Sequence, residues 1–449
     1  MPPPVRPEKT RGSDTVTTTR DFNSAPRSGA ADAAANAAAT HRRAGALADV
    51  RVLDLSRVLA GPWCSQNLAD MGAEVIKVER PGRGDDTRAW GPPWIRDGAG
   101  GSTTDSSYFA SANRGKQSIT VDIAHPDGQA LVRELAKRSD VVLENYKIGD
   151  LARYGLDYAS LSKLNPRLIY CSITGYGQDG PSSHKPGYDF VFQAMGGLMS
   201  ITGERDDLPG GGPQKAGVAI ADVMTGMYAT IAILSALHHR DVTGRGQSID
   251  MALLDCIVAL GGNQITSWFV SGKVPHRYGN AHASLVPYQV FTVSDGEIVV
   301  AVGNDSQWQD YCAAIGRPDL AADPRWTKVT GRITGRNELV PDLARTMLSN
   351  TRAHWLERLE AHGVPCGPIN DYAQVFDDPQ VRHRGLRVDL QRADGSPVST
   401  IASPLRLSET PPVYRCAPPA LGDSTASVLS GLLGMGADEI AALRARGVV

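Results

Sequence analysis

Cysteine is scarce and scattered in this 449-residue chain: Cys64, Cys171, Cys256, Cys312, Cys366 and Cys416, with no C-x-x-C pair. That spacing excludes a disulfide scaffold and a zinc cluster, and it suits a reducing compartment. An excess of one charge is lacking too, since 46 Lys and Arg stand against 48 Asp and Glu, for a net charge of −2. No global field therefore draws nucleic acid or an anionic membrane, and any bound anion must be held by local basic groups. Apolar runs break at Gly, charges or turns well short of the ~20 residues that a membrane helix needs. There is no G-x-S-x-G elbow, no H-E-x-x-H and no G-x-x-x-x-G-K-[ST], which removes the chemistries those motifs carry. What is left is an intracellular globular chain long enough for two domains and a large core.

Residues 1 to about 45 are rich in Pro, Ala, Thr, Ser and Arg with almost no bulky apolar side chain, the composition of a disordered tail. The tail has no apolar h-region, which excludes a secretory signal. Arg6, Arg11, Arg20 and Arg27 suit a mitochondrial transit peptide, but Glu8, Asp14, Asp21 and Asp32 do not. A mitochondrial location follows only if the tail is such a peptide; otherwise the protein is expected in the cytoplasm.

What is present is an alternation of strands and helices. "VRVLDLS" (50–56) reads as a buried strand, a turn with Gly61 and Pro62 opens the helix "WCSQNLADM", and "AEVIKVER" forms the next strand. "SITVDI", "DVVLENY" and "RLIYCSI" continue the series, with helical stretches between them. The pattern predicts an α/β fold with an open parallel sheet, whose ligands sit beyond the carboxyl ends of the strands. Arg57, Arg80 and the pair Asn145–Tyr146 fall at such ends. Past Val223 come a long apolar helix, a hairpin, "YQVFTVSDGEIVVAVG", expected to turn at Asp295–Gly296, and further helices. We divide the chain into a large α/β domain (46–225), a linker helix region (226–249), a small α+β domain (250–345) and a last stretch (346–449) of linker helices that returns to the large domain.

One glycine pattern invites a cofactor. Gly175, Gly177 and Gly180 in "SITGYGQDGP" have G-x-G-x-x-G spacing after a strand, as a dinucleotide fingerprint does. A fingerprint opens a helix, whereas Pro181 and Pro186 block one here, and the acid that would meet the ribose, Glu79, ends a different unit. The dinucleotide reading fails. The loop instead delivers "YDFVFQAM", with Asp189 at the expected helix start. Asp189 is either an N-cap that satisfies a backbone N–H, or a carboxylate at the mouth of a crevice that acts as a nucleophile toward an acyl donor. Spacing alone leaves both open.

Taken together, "VLDLSRVLAGP", "GAEVIKVERPGRGDDTRAWGPP", "NRGKQSITVDI", "VLENYKIGDLARYGLDY", "ITGYGQDGP" and "GYDFVFQAMGGLMSITG" resemble the class III CoA-transferase family (CaiB/BaiF type), from about Leu47 to the C-terminus. The resemblance implies a Rossmann-like large domain formed by both chain ends, a smaller middle domain and an interlocked homodimer. It implies that Asp189 attacks an acyl-CoA thioester to give an acyl-aspartyl anhydride. CoA thiolate then converts the anhydride into an aspartyl-CoA thioester, from which an acceptor acid takes the CoA. Gly196 and Gly197 would supply N–H groups to the tetrahedral oxyanions. The family pattern places CoA against Arg57, Val58, Arg80, Val121, Asn145, Tyr146 and Arg153, with Arg80 and Arg153 as phosphate partners because the guanidinium fork matches phosphate. CoA esters thus enter as substrates, and neither a tightly bound cofactor nor a metal is expected.

Within that family, "GNAHASLVPYQVF", "DDTRAWGPPW" and "HGVPCGPINDYAQVFDDPQV" are similar to the succinate–hydroxymethylglutarate CoA-transferase branch. This implies transfer from succinyl-CoA to a carboxylic acid, a dicarboxylate such as glutarate. A second carboxylate needs cations or several donors, and Arg88, His276, Arg277 and His282 are the candidates. The alternative is an acyl-CoA racemase or isomerase of the same fold. It needs a pair of bases, and Tyr188, of a residue type with pKa near ~10, is a poor one to stand with Asp222. On this reading Asp222 is structural.

Overall fold

A computed structural model describes residues 45–449. The disordered tail expected for 1–45 lies, apart from Gly45, outside the described residues. Short runs of Val, Ile and Leu form β1 (Arg51–Asp54), β2 (Glu74–Glu79), β5 (Lys116–Thr120), β6 (Val141–Glu144), β7 (Ile169–Thr174) and β8 (Ser248–Ala252); the hairpin β3 (Trp94–Arg96) and β4 (Ser102–Ser106) interrupts the series. The six make one sheet in the order β5-β2-β1-β6-β7-β8, with every neighbouring pair parallel. Strand order reverses between β1 and β6, and the crevice at such a switch point is where open α/β sheets take their ligands.

Both faces of the sheet are covered, as a parallel sheet requires. Val52, Val75, Val141 and Ile169 point to one side, against Cys64 and Leu68 of the helix Ala60–Asp70 and Ala229, Ile233 and Ala236 of the helix Ile220–Thr243. Their neighbours Leu53, Ile76 and Val142 point to the other, against Val132 and Leu135 of Pro126–Lys137 and Leu429 and Leu443 near the C-terminus. The backbone N–H of Asp122 donates to the Val448 carbonyl at 2.8 Å, so the last residues close the edge beside β5. The large α/β body is therefore built from both chain ends.

A third core lies between Val286 and Cys366 and includes Phe291, Ile298, Trp308, Tyr311, Leu343 and Trp355. Its sheet has the order β11-β10-β9, from β9 (Tyr288–Val293), β10 (Gly296–Ala301) and β11 (Cys366–Pro368). Val293 pairs with Gly296, so the hairpin turns at Ser294–Asp295, one residue before the expected position. A last hairpin pairs β12 (Arg387–Gln391) with β13 (Pro397–Ile401).

These cores move the expected boundaries. The stretch 226–249 is no linker: Ala229, Ile233 and Ala236 are buried on the large sheet. Residue 250 falls inside β8, the edge strand of that sheet, and the small core runs past 345 to Cys366. The helix Ile220–Thr243 is long and apolar enough to cross a membrane. Its apolar residues are instead those of a central helix packed against Ala60–Asp70 and β7.

Candidate active site

Past Asp54 the chain turns over a lattice of buried charge. Lys116 Nζ donates to Asp54 (3.2 Å), the Pro62 carbonyl (3.0 Å) and Asn113 (2.8 Å). Lys77 Nζ donates to the Ser56 carbonyl and to Asp85, at 2.9 Å each. Burial opposes the charge on Asp54, but Lys116 and Lys77 outweigh it and hold the carboxyl below its usual range. Burial brings Lys116 down to about 8. Asp85 also accepts the backbone N–H of Val58 at 3.2 Å. Val58 has φ of 70°, the one non-glycine positive φ among the described residues. A β-branched residue in that region stores roughly 1–3 kcal/mol, which the lattice beneath must offset. Asn145, just past β6, clasps the same turn: it accepts the Arg57 N–H at 2.9 Å and donates to the Arg57 carbonyl at 2.7 Å.

The turn forms one wall of a cavity of about 350 Å³ at the carboxyl ends of β2, β5 and β6. Arg57, Arg80, Arg83, Val121, Tyr146 and Arg153 line it. Six of the seven residues expected against CoA thus meet here: Arg57, Arg80, Val121, Tyr146 and Arg153 in the wall, and Asn145 behind Arg57. Val58 shapes the turn from below. The cations differ in what they already hold. Arg57 and Arg83 share Asp86, at 3.2 and 3.4 Å, and Arg153 pairs with Asp150 at 2.7 Å. Arg80, exposed on the rim, has no carboxylate partner among the described residues.

Asp189 is the first residue of the helix Asp189–Met195, with Tyr188 as its N-cap, so it does not cap its own helix. Its carboxylate instead accepts from another helix. Oδ1 takes the backbone N–H groups of Ala221 (2.7 Å) and Asp222 (3.3 Å), at the start of Ile220–Thr243. Oδ2 takes Gln193 Nε2 at 2.6 Å. Free N–H groups at a helix start and the helix dipole both favour an anion. The first glycine of the false fingerprint, with a second glycine just before the helix, explains how the helix is seated. A Cβ on Gly175 would lie 2.6 Å from the Phe192 ring, and one on the nearby Gly187 2.4 Å from it. Those glycines admit Phe192, fully buried on the Asp189 helix.

Two further groups stand near Asp189, one expected to be structural and one not singled out in the sequence. Asp222 is 9% exposed, and burial, reinforced by the Asp189 charge, pushes its carboxyl up to about 7. Tyr108 is pushed up to about 12 by burial and then by Asp222, Asp189 and Asp85. It therefore lies within electrostatic reach of both the Asp189 pair and the Asp85 wall of the cavity. Asp222 was legible as an acid near a helix start; Tyr108 was not legible at all.

Other residues with expected roles are already engaged elsewhere. The N–H groups of Gly196 and Gly197 donate to the Phe192 and Ala194 carbonyls, at 2.8 and 3.3 Å, closing the far end of the Asp189 helix. They are not free for an oxyanion. Glycine stands at 196 for a packing reason, since a Cβ there would come within 2.1 Å of the Ile257 side chain. Arg88 is 4% exposed and saturated, with Glu79 at 2.7 and 2.8 Å, Asp105 at 2.8 Å and the Phe109 ring at 3.7 Å. To reach a substrate carboxylate it would have to break its ion pairs with two buried acids, Glu79 and Asp105. Arg277 holds Asp206 and the Ser200 carbonyl. His276 stacks on Tyr278 at 4.3 Å, and His282 packs beside Tyr288 at 5.1 Å. These contacts order the segment around 276–288 and engage no group of the Asp189 helix.

The model of CoA-transferase family III matches residues 47–425. The chain is 48% identical over 386 residues to a succinate–glutarate CoA-transferase of Agrobacterium fabrum, covering 86% of this chain and 95% of that one. It is 42% identical over 403 residues to the succinyl-CoA:glutarate CoA-transferase of Mus musculus, covering 90% of each. Among solved structures, a CAIB/BAIF family protein from Brucella suis matches with a TM-score of 0.77 and 45% identity, over 87% of this chain and 100% of that one.

Proposed function

The chain belongs to CoA-transferase family III, and from that premise we propose that it moves CoA from succinyl-CoA to a short dicarboxylic acid such as glutarate, with Asp189 as the covalent carrier. The observation that carries the proposal is the Asp189 carboxylate, held by two backbone N–H groups and Gln193. Attack on the thioester carbonyl forms an acyl-aspartyl anhydride and releases CoA thiolate. The thiolate returns to the aspartyl carbonyl, giving aspartyl-CoA thioester and the free donor acid. The acceptor carboxylate then repeats the exchange in reverse. Each step trades one activated acyl bond for another, so no nucleotide is consumed. The arginine-lined cavity needs no resident cofactor on this reading; the CoA ester is the substrate that fills it.

The same premise favours an interlocked homodimer. Exposed apolar side chains at the Asp189 helix, with Tyr188 at 66%, Phe190 at 55% and Met195 at 55%, suit burial by a second copy. The six free cysteines fit a reducing compartment such as the cytoplasm. The test is direct: incubate the protein with succinyl-CoA and a panel of mono- and dicarboxylic acids, without ATP, and identify CoA esters by mass spectrometry. Glutaryl-CoA and free succinate are the expected products, and Asp189→Ala should abolish them while CoA still binds. Exchange of an α-proton in a branched acyl-CoA, with no new ester, would hand the site to racemase chemistry.

A further inference from the structure

Asp222 has a carboxyl that the transfer scheme leaves idle. Its backbone N–H serves Asp189, yet among the described residues its own side chain has no hydrogen-bond partner, although it is 9% exposed. It stands in the first turn of a 24-residue helix, where the free N–H groups would normally stabilise an anion. Here the nearest of those groups, on Ala221 and Asp222, point at Asp189 instead. Among the described residues no cation is paired with it, and the titratable groups around that turn are Asp189 on the adjacent helix, Tyr108 and Cys256. Two carboxyls in one low-dielectric recess cannot both ionise cheaply, and the one without donors keeps its proton.

We propose that Asp222 is a second catalytic residue, a neutral carboxylic acid that donates a hydrogen bond to the oxyanion formed when Asp189 attacks. The inference rests on the transfer reading above. In the step concerned, a carboxylate oxygen of Asp189 bonds to the thioester carbon and the carbonyl π pair moves onto its oxygen. The Asp222 O–H donates to that oxygen without giving up its proton. The pair then falls back, the C–S bond breaks and the thiolate leaves with its electrons. The same donor serves each later tetrahedral intermediate, in the place sought earlier at Gly196 and Gly197. It also means that the acceptor carboxylate, attacking the uncharged aspartyl-CoA thioester, meets a neutral Asp222 and not an anion.

The test is the pH profile of kcat/KM for succinyl-CoA with glutarate. The unaltered protein should lose activity above a midpoint of about 7, as Asp222 ionises. Asp222→Asn keeps a donor but cannot ionise, so its alkaline limb should vanish while CoA affinity stays within about twofold. Asp222→Ala should lose roughly 100-fold in kcat and show no limb, as for removal of an oxyanion donor. An alkaline limb unchanged in Asp222→Asn overturns the proposal. A second readout is independent of turnover: carboxyl carbon titration of aspartate-labelled protein, with Asp189→Asn as comparison. One aspartate titrating near neutrality, and at lower pH once the Asp189 charge is removed, supports the assignment; none doing so overturns it. If the unaltered protein makes no new ester, the transfer reading fails and the catalytic role falls with it, whatever that titration gives.

Discussion

Arg80 offers the sharpest test of how CoA is held. Among the described residues it is the one rim guanidinium of the cavity without a carboxylate, whereas Arg57 and Arg83 share Asp86 and Arg153 holds Asp150. A phosphate that meets Arg80 displaces only water, while one that meets Arg153 must compete with a 2.7 Å ion pair. A charge-assisted bidentate contact contributes ~1.5–3 kcal/mol, which is roughly 10- to 100-fold in affinity. The exposure of Arg80 points to the lower end, because solvent and salt screen it. Arg80→Ala should therefore weaken CoA binding by about tenfold at moderate salt, and Arg153→Ala by less. Arg80→Lys should recover only part of the loss, since an ammonium cannot fork across two phosphate oxygens. Calorimetric titration with CoA, repeated across a salt series, supplies the numbers. The deficit of Arg80→Ala should shrink as salt rises. If CoA affinity is unchanged while the KM of the acceptor acid moves, the assignment of Arg80 to CoA is wrong and the reasoning from its unpaired state fails.

Two further substitutions probe the supports of the site. Gly175→Ala puts a methyl 2.6 Å from the Phe192 ring, so the Asp189 helix must shift; kcat should fall at least tenfold with CoA affinity retained, and a normal kcat would show that the packing does not aim Asp189. Glu144, at the end of β6, is 6% exposed with no cation paired to it among the described residues, and burial pushes it up to about 7 despite hydrogen bonds from Ser172 and the Tyr146 N–H. The native state thus binds a proton between its ordinary 4.5 and about 7 that the unfolded chain has released, and stability falls as pH rises through that window. Glu144→Gln should leave stability unchanged below the window and raise it above by up to roughly 3 kcal/mol, read from urea midpoints across the pH range; a pH-independent difference would contradict the sign.

Much of the fold was legible because buried strands announce themselves. "VRVLDLS", "AEVIKVER" and "RLIYCSI" are apolar enough to be read as parallel strands, and each became one. The domain limits were not legible, because an apolar helix such as Ile220–Thr243 has the same composition whether it links two domains or lies on a sheet. Lys77 and Lys116 mislead in the same way: a charge in a strand reads as solvent-facing, yet both are buried under the turn at Val58.

At the site the division is equally physical. Residue type and order alone determined that Asp189 follows a glycine-rich excursion and that arginines stand at strand ends, since those are properties of the chain as written. Which arginine is free, which glycine N–H is already engaged and which second acid shares the recess were decided only in three dimensions. Arg80 and Arg88 follow the same strand and carry the same side chain, yet Arg88 is locked between Glu79 and Asp105 while Arg80 faces solvent. Asp222, thirty-three positions from Asp189, keeps its proton because it is buried and because the Asp189 charge lies beside it, neither of which the linear sequence reveals. Charge state depends on burial and on distance to other charges, and both are properties of the folded chain.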